Sequence, residues 1–492
     1  MSGNIIDDHG LWSDDQRARV AEIRSRIETE GLEAVRVSWP DQHGLLRGKS
    51  LTIPAFEAAL QSGSEISMAP FSLDPANSIV FNPFMAGGGF GVDELSGVPN
   101  VTMVPDPSTF RVLPWAPGTG WILADLHHRD GRPFPLSPRS VLKASLQRLA
   151  ERGYGFVAGL EVEWYLTRIV DPSLDPAGLG APGMPPNPPE VMPVATGYSY
   201  LLENHLDEVD HVLSPLRSHL LSLGLPLRTL EDEWAPSQIE TTFDVLRGLE
   251  PADAMVLFRT ATKQICRRMG HLASFMCKPR IPSFYPSGWH LHQSLTSLDT
   301  GENVFAPSGE EPLSDVGRHY VAGILAHASA ASSFTTPTVN GYRRNRPYSL
   351  APDRAAWAFD NRAAMVRVIS GPGDPASHIE NRVGEPAANP YLYMASQIEA
   401  GLAGIEQALD PGPMEIEPYA AQVEQLPTNL GAALDALEND GVYRAAFGDQ
   451  FLDYWLTLKR FEFNRFVEAS GADAVDSDDV TEWEHREYFA LM

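Results

Sequence analysis

The chain has 492 residues, of which 43% are hydrophobic and 21% are charged. That composition is typical of a soluble globular protein, and the length predicts two domains. The 64 acidic residues outnumber the 37 Lys and Arg residues and give a net charge of −27, which makes binding to nucleic acid or to an anionic membrane surface unfavourable.

The two cysteines and the N-terminal segment predict a cytoplasmic protein. Cys266 and Cys277 lie outside any CxxC pair or histidine cluster with zinc-ligand spacing, so buried free thiols in a reducing compartment are expected. The N-terminal segment is acidic and lacks the apolar stretch of a signal peptide. The chain has no run of about 18 apolar residues, so no membrane span is expected.

The first predicted elements belong to the N-terminal part of the chain. Apolar residues at helical spacing predict an amphipathic helix over 14–30. Alternating segments on both sides of His43-Gly44 predict a β-hairpin, and a second helix is predicted over 54–62. The Pro-rich stretch 131–140 then predicts a domain border near residue 134, because Ser137-Pro138 is a good helix start. The predicted domains are 1–134 and 135–492.

The second domain is predicted to be helix-rich at its ends. Helices are expected after Ser137-Pro138, around 200–223, 251–270 and 314–332, and over most of the last hundred residues. The Pro- and Gly-dense stretch 171–193 is predicted to be a surface loop within this domain.

Between these helices, alternating segments carry ionisable side chains on one strand face. In GLEVEWYL, at 159–166, Glu161 and Glu163 share a face, while large apolar residues occupy the other. A solvated strand face would explain this segment alone. If the strand is buried, however, two adjacent carboxylates repel each other unless a cation lies between them.

The same alternation recurs in SGWHLHQSL, MVRVI and SHIENRV, and EDEWAPSQIETTF places carboxylates on both sides of a Pro-Ser turn. Several such segments in one chain predict a polar funnel lined by a sheet. Its candidate residues are Glu161, Glu163, Glu233, Glu240, His290, His292, Ser294, Arg367, His378, Glu380 and Arg382.

These residue types indicate divalent metal ions that face phosphate groups. Carboxylates with some imidazole suit Mg²⁺ or Mn²⁺, and the absence of cysteine argues against structural zinc. Guanidinium groups bind phosphate and carboxylate oxygens, although a solvated, salt-bridged face is the alternative for Arg343 and Arg346. Metals opposite arginines are what phosphoryl transfer requires. The chain has no P-loop or dinucleotide-binding glycine motif in a suitable context. The nearby arginines are Arg343, Arg344, Arg346, Arg362, Arg367 and Arg382.

Six motifs in this order resemble the glutamine synthetase family over residues 30 to 490: GLEVEW, EDEWAPSQIE, SGWHLHQSL, NGYRRNRPYSLAP, DNRAAMVRV and HIENRVGEPAANPYL. The resemblance implies an α+β fold, with an N-terminal β-grasp domain and a catalytic domain built on a curved antiparallel sheet flanked by helices. It also implies a homo-oligomer, a dodecamer of two stacked hexameric rings, with active sites shared between neighbouring subunits.

The resemblance further implies roles for single residues. The implied ligands of two or three Mg²⁺ or Mn²⁺ ions are Glu163, Glu233 and Glu240 nearer the acid substrate, and Glu161, His290 and Glu380 nearer the ATP phosphates. The implied substrate contacts are Arg344, Arg382, Gly288 and Leu350. The implied ATP contacts are His292, Ser294, Arg362, Arg367 and His378, and the implied catalytic residues are Arg362, Arg367, Glu163 and Arg344.

The implied reaction has two steps. The side-chain carboxylate of glutamate attacks the γ-phosphate of ATP and gives γ-glutamyl phosphate, and an amine then displaces phosphate. Family members that use ammonia have a glutamate where this chain has Leu350, and an aspartate near 64–72, where this chain offers only Glu65. Because ammonium must be attracted and then deprotonated, Leu350 predicts a primary amine with a hydrophobic part, first an aniline-like amine and next a short alkylamine. The alternative for Leu350 is plain packing beside Tyr348.

Two further departures concern the other substrates. His378 replaces an arginine near the ATP phosphates, and Tyr285-Pro286 replaces an Asn-Gly pair that helps to hold glutamate. A glutamate analogue therefore stays open as the acid, although Arg344 and Arg382 favour glutamate. The alternatives for the whole chain are an ammonia-using glutamine synthetase, a γ-glutamylpolyamine or γ-glutamylethanolamide synthetase, and a non-catalytic structural relative. The last is disfavoured because all six candidate metal ligands are present.

Overall fold

The structure is a computed structural model that describes residues 4–89 and 91–492. It is an α+β protein, as predicted. Its helices are α1 Ile5–Asp8, α2 Asp14–Thr29, α3 Ile53–Ser62, α4 Pro138–Glu151, α5 Glu203–Ser222, α6 Glu250–Arg268, α7 Asp315–Ala326, α8 Ala328–Thr335, α9 Pro390–Gln407, α10 Leu430–Glu438, α11 Gly441–Phe447, α12 Asp449–Ser470 and α13 Glu482–Tyr488.

The N-terminal sheet has the order β2-β1-β6-β4-β3, with β5 against β6. The predicted hairpin is β1 with β2, and Gly44 makes its turn at a φ of +73°. Strands β1 and β6 pair in parallel, and helix α3 packs on the sheet. The strand bounds are β1 Ala34–Pro40, β2 Leu46–Thr52, β3 Ser64–Ser67, β4 Asn100–Pro105, β5 Arg111–Val112 and β6 Thr119–His127.

The second sheet has ten strands in the order β14-β15-β16-β13-β7-β10-β9, and β8, β11 and β12 also pair with β7. It is antiparallel except at its edge, where β14 and β15 are parallel. The bounds are β7 Tyr154–Asp171, β8 Glu190–Pro193, β9 Leu227–Asp232, β10 Gln238–Phe243, β11 Leu246–Arg247, β12 His271–Ser274, β13 Trp289–Ser297, β14 Trp357–Phe359, β15 Val366–Ile369 and β16 His378–Asn381.

Two predicted elements differ from the structure. The helix expected over 314–332 is two helices, because His327, at φ −109° and ψ 13°, leaves the helical region between α7 and α8. The end of the stretch 171–193 is not a loop, since β8 pairs with β7. The other predicted helices of both halves are present, and the two-domain division at residue 134 stays a prediction.

The core of the second half lies between this sheet and a nearly fully buried helix, α9. Helix α9 is buried from Pro390 to Gly404 because α4, α6, α7, α8 and α11 pack around it. Buried apolar residues on the back face of β7, such as Leu160, Val162 and Trp164, join the same core. The opposite face of β7 therefore carries the polar residues. No helix within the described ranges is long and apolar enough to cross a bilayer.

Candidate active site

The register of four strands brings the predicted ionisable residues together. On β7, Glu161 lies opposite His290 of β13, and Glu163 lies opposite Glu240 of β10. On the far side of β13, His292 lies opposite Glu380 of β16. Because paired residues on adjacent strands project from the same face, all these side chains share one surface.

Glu161 is the centre of this surface. His290 Nδ1 lies 2.6 Å from Glu161 Oε1 and 3.5 Å from Glu380 Oε1, and His292 Nε2 lies 3.1 Å from Glu161 Oε2. Ligand atoms of Glu161, Glu240 and His290 lie within 4.8 Å of one another, as do those of Glu161, His292 and Glu380. Carboxylate oxygens with one imidazole per group suit a hard divalent ion. The donor set therefore fits Mg²⁺ or Mn²⁺.

Close contacts connect the three imidazoles of the site to their neighbours. Arg344 donates to His290 Nε2 at 3.0 Å, because a guanidinium only donates, and His290 Nδ1 is the ring atom that faces Glu161 and Glu380. His292 contacts Glu161 with Nε2 and His378 Nε2 with Nδ1, at 3.0 Å, while His378 Nδ1 contacts the carbonyl of Ala376 at 2.6 Å. His290, His292 and His378 thus form a chain of contacts that runs from Arg344 through Glu161 to the backbone at Ala376.

Two hydrogen-bond donors hold the Glu163 carboxylate, and Gly288, which supplies one of them, is closely packed. It accepts hydrogen bonds from Gly288 N at 2.7 Å and from Gln238 Nε2 at 2.9 Å. A Cβ on Gly288 would lie 2.4 Å from Arg344 NH2 and 2.9 Å from His290 Nε2. A side chain at position 288 would therefore displace Arg344 or His290. Gln238 is a site residue that the sequence analysis did not identify.

The carboxylates differ sharply in how well the protein neutralises them. Burial, with repulsion from Glu163, raises the pKa of Glu233 to about 8. Burial, with repulsion from Glu161, raises the pKa of Glu240 to about 10. Burial also opposes ionisation of Glu380, but Arg382 and the histidines outweigh it and lower the pKa to about 2. The pKa of Glu161 is likewise lowered, because hydrogen bonds from His290 and His292 outweigh its burial. Positive charge from the protein therefore lies near Glu161 and Glu380 rather than near Glu233 and Glu240.

Three of the predicted arginines border the carboxylates. Arg344, which is buried, donates to the carbonyl of Arg382 at 2.7 Å. Arg382 forms an ion pair with Glu380, and Arg367 donates to the other oxygen of Glu380 at 3.0 Å. Arg367 also pairs with Asp360. These guanidinium groups form one positively charged wall.

The other arginines lie outside that wall. The side chain of Arg362 is exposed, and only its carbonyl contacts the wall, through Arg382 Nε at 3.0 Å. Arg343 is buried in a two-point ion pair with Glu484, at 3.0 and 3.1 Å. Arg346 pairs with Asp478 at 2.6 Å. Arg346 therefore agrees with the alternative of a solvated, salt-bridged face, whereas Arg343 forms a buried ion pair instead.

A cavity of about 1490 Å³ opens on the Glu161 side of the site. Its lining includes Gly159, Glu161, His292, Ser294 and His378. The volume exceeds that of most small-molecule pockets, which hold about 300–1,000 Å³. The predicted nucleotide contacts of β13 and His378 thus lie together beside a cavity large enough for a nucleotide.

Residues 135–488 match the family model described as the glutamine synthetase catalytic domain. The chain belongs to the glutamine synthetase family. It is 59% identical to a γ-glutamylanilide synthase from an Acinetobacter species, with 99% of each chain covered. It is 30% identical to a glutamate–isopropylamine ligase from a Pseudomonas species, over 92% of this chain and 97% of that one. A solved structure named as a GmaS/ADP complex has a TM-score of 0.74 and 29% identity, over 94% of this chain and 98% of that one.

Within this glutamine synthetase family member, the two positions that depart from the ammonia-using pattern are now located. Leu350 is 61% exposed at a φ of +64°, and Tyr348 is 81% exposed, so Leu350 is not packed in a core. The Leu350 carbonyl accepts a hydrogen bond from Arg382 NH2 at 3.4 Å. Glu65 lies on β3 of the N-terminal sheet, where it pairs with Arg129, and it contacts no site residue in the described ranges of this chain.

Proposed function

We propose that this chain joins the γ-carboxyl group of L-glutamate to a primary amine other than ammonia, with ATP converted to ADP and phosphate. The observation that carries the proposal is the arrangement of the carboxylate and histidine cluster between a nucleotide-sized cavity and the Arg344–Arg367–Arg382 wall. The high identity to a γ-glutamylanilide synthase, over nearly all of both chains, supports the same activity.

In the first step, a γ-carboxylate oxygen of glutamate bonds to the γ-phosphorus of ATP, the bond from that phosphorus to the bridging oxygen of ADP breaks, and ADP leaves. Arg344 and Arg382, which face the carboxylate cluster, orient the glutamate carboxylates, because planar guanidinium groups bind carboxylates at two points. Arg367, with the exposed Arg362, balances the charge on the transferring phosphate. His292, Ser294 and His378 contact the nucleotide from the cavity wall.

Two or three Mg²⁺ or Mn²⁺ ions are proposed to bind here, with Glu163, Glu233 and Glu240 on the acid side and Glu161, His290 and Glu380 on the phosphate side. When bound, such ions neutralise phosphate and carboxylate charge. Gly288 and Gln238 hold the Glu163 carboxylate in place. The raised pKa values of Glu233 and Glu240 support a cation at that end, because a cation would stabilise their ionised forms.

In the second step, the amine nitrogen bonds to the γ-carbon, the bond from that carbon to the phosphate oxygen breaks, and the proton that the nitrogen loses passes to the released phosphate. An ammonium ion would need a carboxylate to attract it and to take its proton. Leu350 offers neither. An aniline-like amine arrives neutral, so its nitrogen attacks without prior deprotonation, and a short alkylamine is the next candidate.

The assembly and the domain division are also proposals. A homo-oligomer, a dodecamer of two hexameric rings with active sites between subunits, is proposed from the family resemblance. The division into a β-grasp domain, 1–134, and a catalytic domain, 135–492, is proposed from the Pro-rich border. Sedimentation velocity of the purified protein tests the ring size.

A phosphate-release assay tests the proposed function. Purified protein receives glutamate, ATP, Mg²⁺ or Mn²⁺, and one amine from a panel of ammonia, ethanolamine, putrescine, isopropylamine and aniline. We expect phosphate release that needs both glutamate and amine, with the highest kcat/KM for aniline. Highest turnover with ammonia would instead establish a glutamine synthetase. Highest turnover with ethanolamine would favour the activity named for a 32% identical relative from Streptomyces coelicolor, a γ-glutamylethanolamide synthetase.

A further inference from the structure

The site-facing residues of β7 change from acidic to aromatic along the strand. Glu161 and Glu163 are followed on the same face by Tyr165, which is fully buried. The Tyr165 ring stacks on Phe284, with ring centroids 4.4 Å apart. Ala235 and Tyr285 join them in a small apolar cluster that is separate from the main core. The carboxylate cluster is therefore bordered at one end by aromatic side chains.

Two exposed aromatic residues lie close to this cluster. Tyr198 and Trp234 are 47% and 40% exposed, and their ring centroids are 5.5 Å apart. The Tyr198 hydroxyl donates to the carbonyl of Ser283 at 2.7 Å, and the Tyr285 hydroxyl donates to the carbonyl of Ser349 at 3.1 Å. Because both hydroxyls are already bonded to the backbone, these tyrosines mainly offer a ligand their aromatic carbons.

The segment that carries Tyr198 is fixed to the strand that precedes Glu233. Ser199 N donates to the carbonyl of Trp234 at 3.2 Å, and Ser199 Oγ donates to Asp232 at 2.9 Å. Leu201 N donates to the carbonyl of Asp232 at 3.0 Å. Since Trp234 directly follows Glu233, the backbone holds both exposed rings beside the acid-side carboxylates.

Tyr198 and Trp234 are not part of the described lining of the nucleotide-sized cavity, which reaches Glu231 on β9. That cavity is lined by β7 residues up to Glu161. Tyr165 lies four residues further along, which is about 13 Å at the usual rise of a strand. The aromatic residues therefore border a part of the site that the cavity does not line.

We propose that Tyr198, Trp234 and Tyr285 form an aryl-binding subsite that holds the ring of an aromatic primary amine beside γ-glutamyl phosphate. This inference rests on the proposed function and deepens it. Aromatic rings pack favourably against one another in stacked or edge-to-face contacts. A cluster of large exposed aromatic residues is otherwise unfavourable on a water-soluble surface. The subsite makes the ring of the amine, rather than a charge on its nitrogen, the feature that is recognised.

Leucine substitutions in the full-length protein test the subsite. The variants are Tyr198→Leu and Trp234→Leu, with Trp234→Phe as the conservative change. Phe463→Leu, on helix α12 and outside the site, is the matched control. Each protein is assayed by phosphate release with glutamate, ATP, Mg²⁺ and either aniline or isopropylamine. For each leucine variant we expect kcat/KM for aniline to fall about tenfold or more, which equals about 1.4 kcal/mol, and kcat/KM for isopropylamine to change less than about twofold. Trp234→Phe and Phe463→Leu should keep the wild-type preference.

Other outcomes would overturn the subsite. An equal loss for both amines would mean that Tyr198 and Trp234 only support Glu233. A change in oligomeric state, measured by sedimentation, would mean that the rings pack between copies of the chain. Titration calorimetry of aniline into the glutamate-loaded protein separates this proposal from the proposed function. Binding that the leucine variants lose would support the subsite even without turnover, and absence of binding in the wild type would overturn it.

Discussion

Gly288→Ala is the sharpest test of the packing around Glu163. The added Cβ would lie 2.4 Å from Arg344 NH2, 2.8 Å from Arg344 CZ and 2.9 Å from His290 Nε2. Non-bonded atoms separate by about 3.5 Å or more, so the guanidinium must move by about 1 Å. Arg344 is buried and bonded to His290 and to the carbonyl of Arg382. A movement of that size therefore weakens both hydrogen bonds.

The expected effect on catalysis follows from that displacement. Hydrogen bonds to charged groups contribute about 1.5–3 kcal/mol each, and a misplacement of about 1 Å in a reacting site costs about 100-fold in rate. We expect kcat/KM for glutamate to fall about 100-fold in Gly288→Ala, measured by phosphate release at saturating ATP and amine.

Gly441→Ala is the matched control for this experiment. Gly441 begins α11, its φ is negative, and a Cβ there would meet no atom within 4 Å. The control should retain wild-type activity, and both variants should keep a circular dichroism spectrum of the folded protein. Activity of Gly288→Ala within about threefold of the wild type would refute the packing argument, because the guanidinium would then tolerate displacement.

Three further predictions concern metal binding, the amine and stability. The pKa values of Glu233 and Glu240 are raised from 4.5 to about 8 and about 10. Above pH 4.5 the folded metal-free protein therefore keeps protons that the unfolded chain has lost. The stabilisation from these bound protons is lost as the pH rises through the folded-state pKa values. A fixed Mg²⁺ concentration that is 100 times Kd at pH 8, and so is worth about 2.7 kcal/mol there, should raise the Tm more at pH 8 than at pH 6. Equal shifts would contradict this. Leu350→Glu should raise the ratio of kcat/KM for ammonia to that for aniline by about tenfold or more, and an unchanged ratio in the phosphate assay would exclude a role for this position. Arg343→Met should lower the free energy of unfolding by about 3–5 kcal/mol, because it leaves Glu484 buried without its partner, and a loss under about 1 kcal/mol in urea melts would argue against that pair.

The faces of the site strands could be predicted from the sequence, because side chains alternate with a period of two residues. That period puts Glu161 with Glu163, and His290 with His292, whatever the strands pair with. The register is a different matter. That Glu161 lies opposite His290 depends on contacts across 129 residues of chain, which no local pattern contains. The sequence therefore predicts the separate strand faces, and only the folded structure shows that these faces form one site.

The roles of several site residues depend on partners that are distant in the sequence. Arg343 and Arg344 are neighbours in the same motif, yet Arg343 is neutralised by Glu484 and Arg344 reaches His290. The two arginines have the same residue type and the same local sequence. Only the buried Glu484, which is distant in the sequence, distinguishes the structural arginine from the site arginine. Gln238 and Tyr165 were missed for a related reason, since an amide and a phenol carry chemical meaning only through the carboxylate or ring that they contact.

The distribution of positive charge in the site implies that its two proposed metal regions respond differently to pH. Glu380 is paired with Arg367 and Arg382 and is ionised throughout the physiological range. Glu233 and Glu240 have no arginine partner in the described ranges and hold protons near neutral pH in the metal-free protein. A divalent ion that binds to Glu233 and Glu240 must therefore displace protons, whereas one that binds at Glu380 displaces none from that residue. As the pH falls, we therefore expect metal binding at Glu233 and Glu240 to weaken before metal binding at Glu380. Glutamate binding should weaken with it.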